Sequence, residues 1–281
     1  MMAKTIYRMG MTPAGLIFFQ NLLAIPFLLV LAIRHGGPLR MEPPDLKKIA
    51  GMSLLGGTMT PLLLYSSYNY IPAGSATTLH FVYPLFVFAG CVVLFKHRVQ
   101  FVQGGCVVLC TAGIFLFYDR FGGSGLFGQL IAVLSGITYA AYIIFLDKSG
   151  VSSIPLFKRS LYVCFTNMVI VFCFAAFSGQ LTWPRSPMAW VLCLVFTVTH
   201  SICAVALFQT GTFLVGPQRA AIFSTLEPIT SIAIGIALYR DIPTLRIAVG
   251  GVLILFASTF LAVYGNKQEK APVVPNSSIK E

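Results

Sequence analysis

The sequence predicts an all-α membrane protein of about nine transmembrane helices arranged as two inverted repeats, and three observations carry that prediction. The chain of 281 residues is 57% hydrophobic and only 10% charged, with a mean hydropathy of +0.85, far from the balance of a soluble domain. Uncharged runs of about 20 residues or more, enough to cross a hydrocarbon core of ~30 Å, recur from end to end. Two similar apolar stretches, Thr77–Pro84 and Ala221–Pro228, each place a proline where a spanning helix would otherwise run unbroken.

Residues 1–11 form a short polar lead with Lys4 and Arg8, too brief for the apolar core of a cleavable signal peptide. The first span covers 12–33 and stops at Arg34, followed by a basic loop with Arg40, Lys47 and Lys48. Residues 49–95 carry no formal charge and are long enough for two spans, with Ile71-Pro72-Ala73-Gly74 as the turn between them. Lys96-His97-Arg98 closes the second of these, and 99–118 is a further span. The Gly-rich connector Asp119–Gly125 marks the boundary between halves, and spans follow at 125–146, 158–179, 188–211, 217–239 and 244–264. The expected units are therefore a first repeat over 1–120, a second over 121–264, and a tail over 265–281 whose polarity, with Pro272 and Pro275, predicts disorder.

A net charge of +11 could point to nucleic acid, but the Lys and Arg residues sit in loops and form no basic face, which excludes that partner. Assigning alternate loops to one side gives thirteen Lys and Arg there against six on the other. By the positive-inside bias the chain is a multi-pass protein of the cell membrane with a cytoplasmic C-terminus and residue 1 outside. Trp183 and Trp190 flank the external loop after the sixth span, where indole rings favour the interface. All seven cysteines fall inside apolar spans without zinc-ligand spacing, and are read as packing residues; no metal or cofactor is expected.

Pro84 and Pro228 lie 144 residues apart, and the same offset pairs Leu63 with Leu207, Ala76 with Ala220 and Lys96 with Arg240. Two residues further, Gly104-Gly105 pairs with Gly250-Gly251. An odd number of helices per repeat turns the second copy upside down, the architecture of secondary transporters. The first copy holds four spans and the second five, so the partner of 125–146 would lie upstream of Met1.

Each proline removes one backbone hydrogen bond and frees the carbonyl four residues earlier, at His80 in one copy and Ser224 in the other. Beside the breaks stand His80 and Glu227, the latter the only acidic residue within an apolar span. Helical spacing aligns Ser224, Glu227 and Ser231; Thr77, His80 and Pro84; Ser135, Thr138, Tyr139 and Tyr142; Thr197, His200 and Ser201; and Thr58, Pro61, Tyr65 and Tyr68. Five polar stripes in one bundle predict a wet cavity. The candidate substrate-binding or coupling residues are Glu227, His80, Tyr83, Pro84, Pro228, His200, Tyr139, Tyr65 and Ser224. Against this stand plainer roles: Glu227 as a structural carboxyl, the histidines as interhelical hydrogen-bonding groups, the tyrosines as packing.

Leu226-Glu227-Pro228, Gly125-Leu126-Phe127-Gly128-Gln129-Leu130 and the glycines at 104 and 250 resemble motifs of the EamA-type branch of the drug/metabolite transporter superfamily. The likeness covers about residues 12–264. It implies two halves of five helices, both termini cytoplasmic, a shared central cavity, and export or exchange of small metabolites such as amino acids. This chain departs from the pattern in lacking the family's first helix, and in Lys96 and Arg240-Asp241 where a glutamate is usual. The expected function is a secondary carrier acting by alternating access, with a small-molecule substrate, membrane lipids and a homodimer as the partners open to it. The rival readings are a membrane protein that binds or assembles without transporting, or a truncated transporter. A membrane-embedded hydrolase is disfavoured, since His80 and His200 are 120 residues apart and no H-E-x-x-H helix occurs.

Overall fold

The computed structural model describes residues 2–35, 39–95, 101–117, 123–204, 226–240 and 243–269. Helices take up nearly all of them, and no strand occurs among the described residues. Short α1 (Met2–Arg8) precedes α2 (Pro13–His35). α3 (Pro43–Met52) passes through a π-helical segment, Ser53–Met59, into α4 (Thr60–Ser67). α5 (Ala73–His80) and α6 (Tyr83–Phe95) are two pieces of one apolar stretch, followed by α7 (Phe101–Phe117), α8 (Gly123–Lys148) and α9 (Leu156–Phe177). α10 (Pro187–Thr197) runs into a second π-helical segment, Val198–Ala204. α11 (Leu226–Tyr239) and α12 (Leu245–Glu269) complete the described chain.

Among the described residues, five stretches are long and apolar enough to cross a membrane: Pro13–His35, Pro43–Ser67, Ala73–Leu94, Gly125–Leu146 and Leu156–Phe177. Four shorter apolar helices, Phe101–Leu116, Pro187–Ser201, Glu227–Leu238 and Leu245–Phe260, fall on the other four expected spans. Large apolar side chains such as Phe27, Val30 and Ile33 on α2 and Phe115 on α7 point outward and are exposed, as a lipid-facing surface requires. Cys106, Cys110, Cys164 and Cys193 are buried packing residues, whereas Cys173 and Cys203 are exposed.

Local chemistry sets the helix ends. Thr12 begins α2: its hydroxyl accepts from the Gly15 N–H at 3.0 Å, and its own N–H donates to Thr182 Oγ1 at 2.8 Å. Ser186 caps α10 by accepting from the Ala189 N–H at 3.2 Å, with Pro187 in the first turn, where its missing N–H is harmless. The turn expected at Ile71–Gly74 closes through Ile71 N–H donating to the Ser67 carbonyl at 3.0 Å, and Pro72 opens α5.

The first eleven residues are more than a polar lead. Ala3 and Ile6 are fully buried, and α1 packs against α2 and α10. Ala3, Ile6 and Tyr7 share one helical face at i, i+3 and i+4, a pattern two turns long that is too short to stand out from a polar segment. The Asp119–Gly125 connector lies mostly outside the described residues.

Equivalent helices of the two halves pack against each other, and they do so antiparallel. α2 and α9 begin 143 positions apart. The start of α2 meets the end of α9 through Thr12 and Thr182, while at the other end His35 lies 5.9 Å from Phe157 and Lys158 Nζ donates to the Arg40 carbonyl at 2.6 Å. α7 and α12 pair in the same sense: Cys110 Sγ and Ser258 Oγ lie 3.7 Å apart, and one turn later Gly113 faces Gly250 and Ile254. A Cβ at Gly104 or Gly105 would meet nothing within 4 Å among the described residues, so Gly113 is the residue of this helix that permits the approach.

A side chain at Gly113 would place its Cβ 2.9 Å from the Gly250 carbonyl oxygen. Gly113→Val is expected to lower stability by about 1–3 kcal/mol in thermal unfolding of the detergent-solubilised protein. Gly105→Ala, which meets only open space, should change stability by under about 1 kcal/mol, in the stabilising direction of helix propensity.

Candidate functional site

The site is organised by the break between α5 and α6. Thr77 to His80 are helical; Phe81 N–H then donates to both Thr77 and Thr78 carbonyls at 3.1 Å, and the chain turns once before α6 begins. Pro84 sits at the start of α6 and cannot supply the N–H that the His80 carbonyl would otherwise receive. That oxygen instead lies against Gly136 on α8, where a Cβ would come within 2.8 Å of it. The proline break and the small residue opposite it are thus one feature built from two distant parts of the sequence.

His80 is buried, and its Nδ1 lies 2.9 Å from Ser135 Oγ. The serine's single hydrogen is given to the Ala132 carbonyl at 2.6 Å, so Ser135 can only accept from the imidazole. His80 therefore carries its proton on Nδ1 and leaves Nε2 as an acceptor. Around this ring stand Tyr83 at 5.9 Å and Tyr139 at 5.3 Å, and Tyr83 and Tyr139 meet edge to face at 4.8 Å. Tyr142 stacks on Tyr139 at 5.6 Å.

A second aromatic row runs from α4 to the π-helical segment after α10. Tyr68 and Tyr65 lie 5.8 Å apart, Tyr65 and Phe196 6.2 Å, and Phe196 stacks on His200 at 5.4 Å. His200 sits in the π-helical segment after α10, and its Nδ1 accepts from Gln20 Nε2 at 2.9 Å. The same amide nitrogen donates to Ser201 Oγ at 3.0 Å. The histidines thus hold opposite tautomers, His80 donating through Nδ1 and His200 accepting there.

Glu227 stands in the first turn of α11. Its carboxylate is near enough to act electrostatically on the hydroxyls of Tyr65 and Tyr68 in one row and Tyr139 in the other. Glu227 is exposed and Pro228 beside it buried, whereas Tyr65 is 6% exposed. α11 reaches this place by packing on α5, where Ile232 rests against Gly74. α11, which carries Glu227 and Pro228, thus packs on α5, which carries His80. Ser224 lies outside the described residues.

Five side chains that the sequence did not single out as candidates also gather here. Tyr68 appeared only as part of a stripe. Gln20 holds His200, and Asn21 and Asn167 meet in the buried centre, Asn167 Nδ2 donating to Asn21 Oδ1 at 3.5 Å. The signal that could have found them is an amide within an apolar span, which Gln20, Asn21 and Asn167 all are. Tyr7 of α1 is close enough to Tyr65 and Tyr68 to interact electrostatically, and its buried hydroxyl has no hydrogen-bond partner among the described residues. Among the described residues no group of three His, Cys, Asp or Glu could hold a metal ion.

Residues 1–119 and 126–263 match the EamA-like transporter family. The protein named Uncharacterized transporter sll1319 from Synechocystis sp. is 27% identical over 227 residues, covering 78% of this chain and 66% of that relative, just under two thirds of its length. Uncharacterized transporter YcbK of Bacillus subtilis is 27% identical over 247 residues, covering 83% of this chain and 78% of its own. A solved crystal structure superposes with a TM-score of 0.62 over 96% of this chain and 93% of the other, at 15% identity, a likeness of fold alone.

The tautomer of His80 can be tested by substitution. An asparagine amide reproduces a donor at Nδ1 and a glutamine one at Nε2, so His80→Asn should keep the bond to Ser135. Thermal unfolding should show His80→Gln less stable than His80→Asn by about 1 kcal/mol, and the reverse order would refute the assignment.

Proposed function

This chain belongs to the EamA-like transporter family, and from that premise we propose that it is a secondary carrier of small metabolites, amino acids or related compounds, exporting or exchanging them by alternating access. The observation that carries the reading is the gathering of His80, Tyr83 and Tyr139 at the break between α5 and α6, with α11, the helix of Glu227 and Pro228, packed on α5, and with equivalent helices of the two halves packed antiparallel. In secondary carriers, interrupted helices at a repeat interface form the binding site, and one half rocks against the other.

The two repeats are proposed to run over 1–120 and 121–264, a division supported by the two family matches at 1–119 and 126–263. The π-helical segments fit the same scheme. Ser53–Met59 and Val198–Ala204 are each seven residues long and begin 145 positions apart. Each leans on the other half: the first contacts α9 and the second α2. A π-helical turn interrupts the regular hydrogen-bond ladder and marks a place where a helix can bend. Glu227 is proposed to pair with the substrate or a coupling proton, with His80, Tyr83 and the His80 carbonyl completing the site beside Pro84 and Pro228. The protein is proposed to lie in the cell membrane with its C-terminus in the cytoplasm, as the distribution of Lys and Arg supports.

Vesicles reconstituted with the purified chain should show saturable uptake of a labelled amino acid or related metabolite, and Glu227→Gln should lower the rate by about tenfold or more. Uptake equal to that of protein-free vesicles across the panel would overturn the carrier reading, and unchanged rate and pH dependence in Glu227→Gln would overturn the role of that residue.

A further inference from the structure

We propose that a sodium ion binds between the two halves, held by the carbonyl oxygens of Leu55 and Ser135 and the hydroxyls of Thr60 and Thr138. These oxygens form a continuous row. Thr60 Oγ1 lies 2.8 Å from the Leu55 carbonyl and 3.0 Å from Thr138 Oγ1, which in turn lies 2.9 Å from the Ser135 carbonyl. The row has three gaps and two hydrogens to fill them, one from each hydroxyl. Every arrangement leaves one pair of oxygens at hydrogen-bonding distance with no hydrogen between them, and a cation relieves such a pair. Thr60 and Thr138 are only 6% and 8% exposed and Ser135 is fully buried, so bulk water does not serve the row.

Local structure builds the row. The Leu55 carbonyl belongs to the π-helical segment Ser53–Met59 and receives the Thr60 N–H, which leaves its second lone pair for a further ligand. Thr60 opens α4, Ser135 and Thr138 stand one turn apart on α8, and α8 packs on both α4 and the π-helical segment. The approach is close, since a Cβ at Gly56 would come 2.5 Å from Tyr142 Cδ2. All four ligands are neutral oxygens. Divalent cations draw carboxylates into their shell, and a double charge buried among neutral groups is costly. The spacing of the oxygens needs less spreading for sodium than for the larger potassium ion. Carbonyls of interrupted helices are the groups by which secondary carriers hold sodium. The Arg159 guanidinium, which acts on Tyr142, donates to the Val151 carbonyl at 3.2 Å. Val151 lies past the end of α8, about 15 Å along that helix from Thr138, so this positive charge bears weakly on the row. Ser135 also joins the ion to the candidate substrate site, because its hydroxyl meets His80 Nδ1 at 2.9 Å. The ion site goes beyond the carrier reading and would give it a driving ion.

The test measures ion binding without transport, as the thermal unfolding midpoint of the full chain in lipid nanodiscs. Sodium chloride replaces choline chloride at a constant total of about 150 mM, which holds ionic strength fixed. Sodium should raise the midpoint saturably, by at least about 2 °C, and potassium by less than half as much. Thr60→Val and Thr138→Val keep the shape of the side chain and remove one ligand each. Each should raise the sodium concentration for half the effect by at least about tenfold, whereas Thr60→Ser should keep it within about threefold. Each variant is compared with itself in choline, so a lower intrinsic stability does not imitate the loss. Equal midpoints in sodium and choline for protein that unfolds cooperatively would overturn the proposal. So would a sodium response unaltered in both valine variants, or an equal response to potassium. Saturable stabilisation by sodium without flux in vesicles would sink the carrier reading alone. Flux at one rate in sodium and in choline, with no stabilisation by sodium, would sink this inference alone.

Discussion

Hydrocarbon neither donates nor accepts a hydrogen bond, and every polar group in this chain answers to that constraint. The backbone answers by being helical, and most hydroxyls answer by turning back on their own helix. Thr77 donates to the Ala73 carbonyl at 2.8 Å, Thr78 to Gly74 at 2.9 Å, Thr111 to Val107 at 2.8 Å and Thr197 to Cys193 at 2.8 Å. A stripe of Ser and Thr is therefore weak ground for a wet cavity, since each hydroxyl can be satisfied within one turn. Groups too long or too rigid to do this, the imidazoles, amides, phenols and the one carboxylate, must find partners on other helices.

Those partners join the halves of the molecule. Thr60 and Thr138 hydroxyls meet at 3.0 Å, Thr58 approaches Asn167 at 3.5 Å, and Gln20 reaches His200. Apolar packing against lipid-like neighbours gives little preference for one helix register over another, whereas a buried amide or imidazole is satisfied in one register only. Small residues make the approaches: Gly57 leaves room for the Asn167 amide, and Gly136 for the His80 carbonyl. The polar contacts and the glycines opposite them form one system that fixes how the helices sit.

The same system sets apart what can move. The α5–α6 break and the two π-helical segments are places where the ladder of backbone bonds is already interrupted, and His80 and His200 stand in two of them. Bending there disturbs fewer intact bonds than bending a regular helix. A substrate seated between the rows would touch both halves, which is the physical requirement for coupling occupancy to rocking.

Among the described residues, the places of the apolar helices were legible in the sequence because the length of an uncharged run is set by membrane thickness and needs no partner to be recognised. The inverted relation was legible too, through Pro84 and Pro228 and the offset between them, since a proline break is encoded locally. Glu227 and His80 stood out because ionisable side chains are rare at that depth. What only the tertiary structure decided was which of these residues meet. That Gly136 faces His80, that Gly113 and not Gly104 admits α12, that Gln20 holds His200, and that Tyr7 of a two-turn helix reaches Tyr65 all depend on the rotation and register of packed helices. Those are fixed by side chains far apart in the chain, where no local spacing records the pairing.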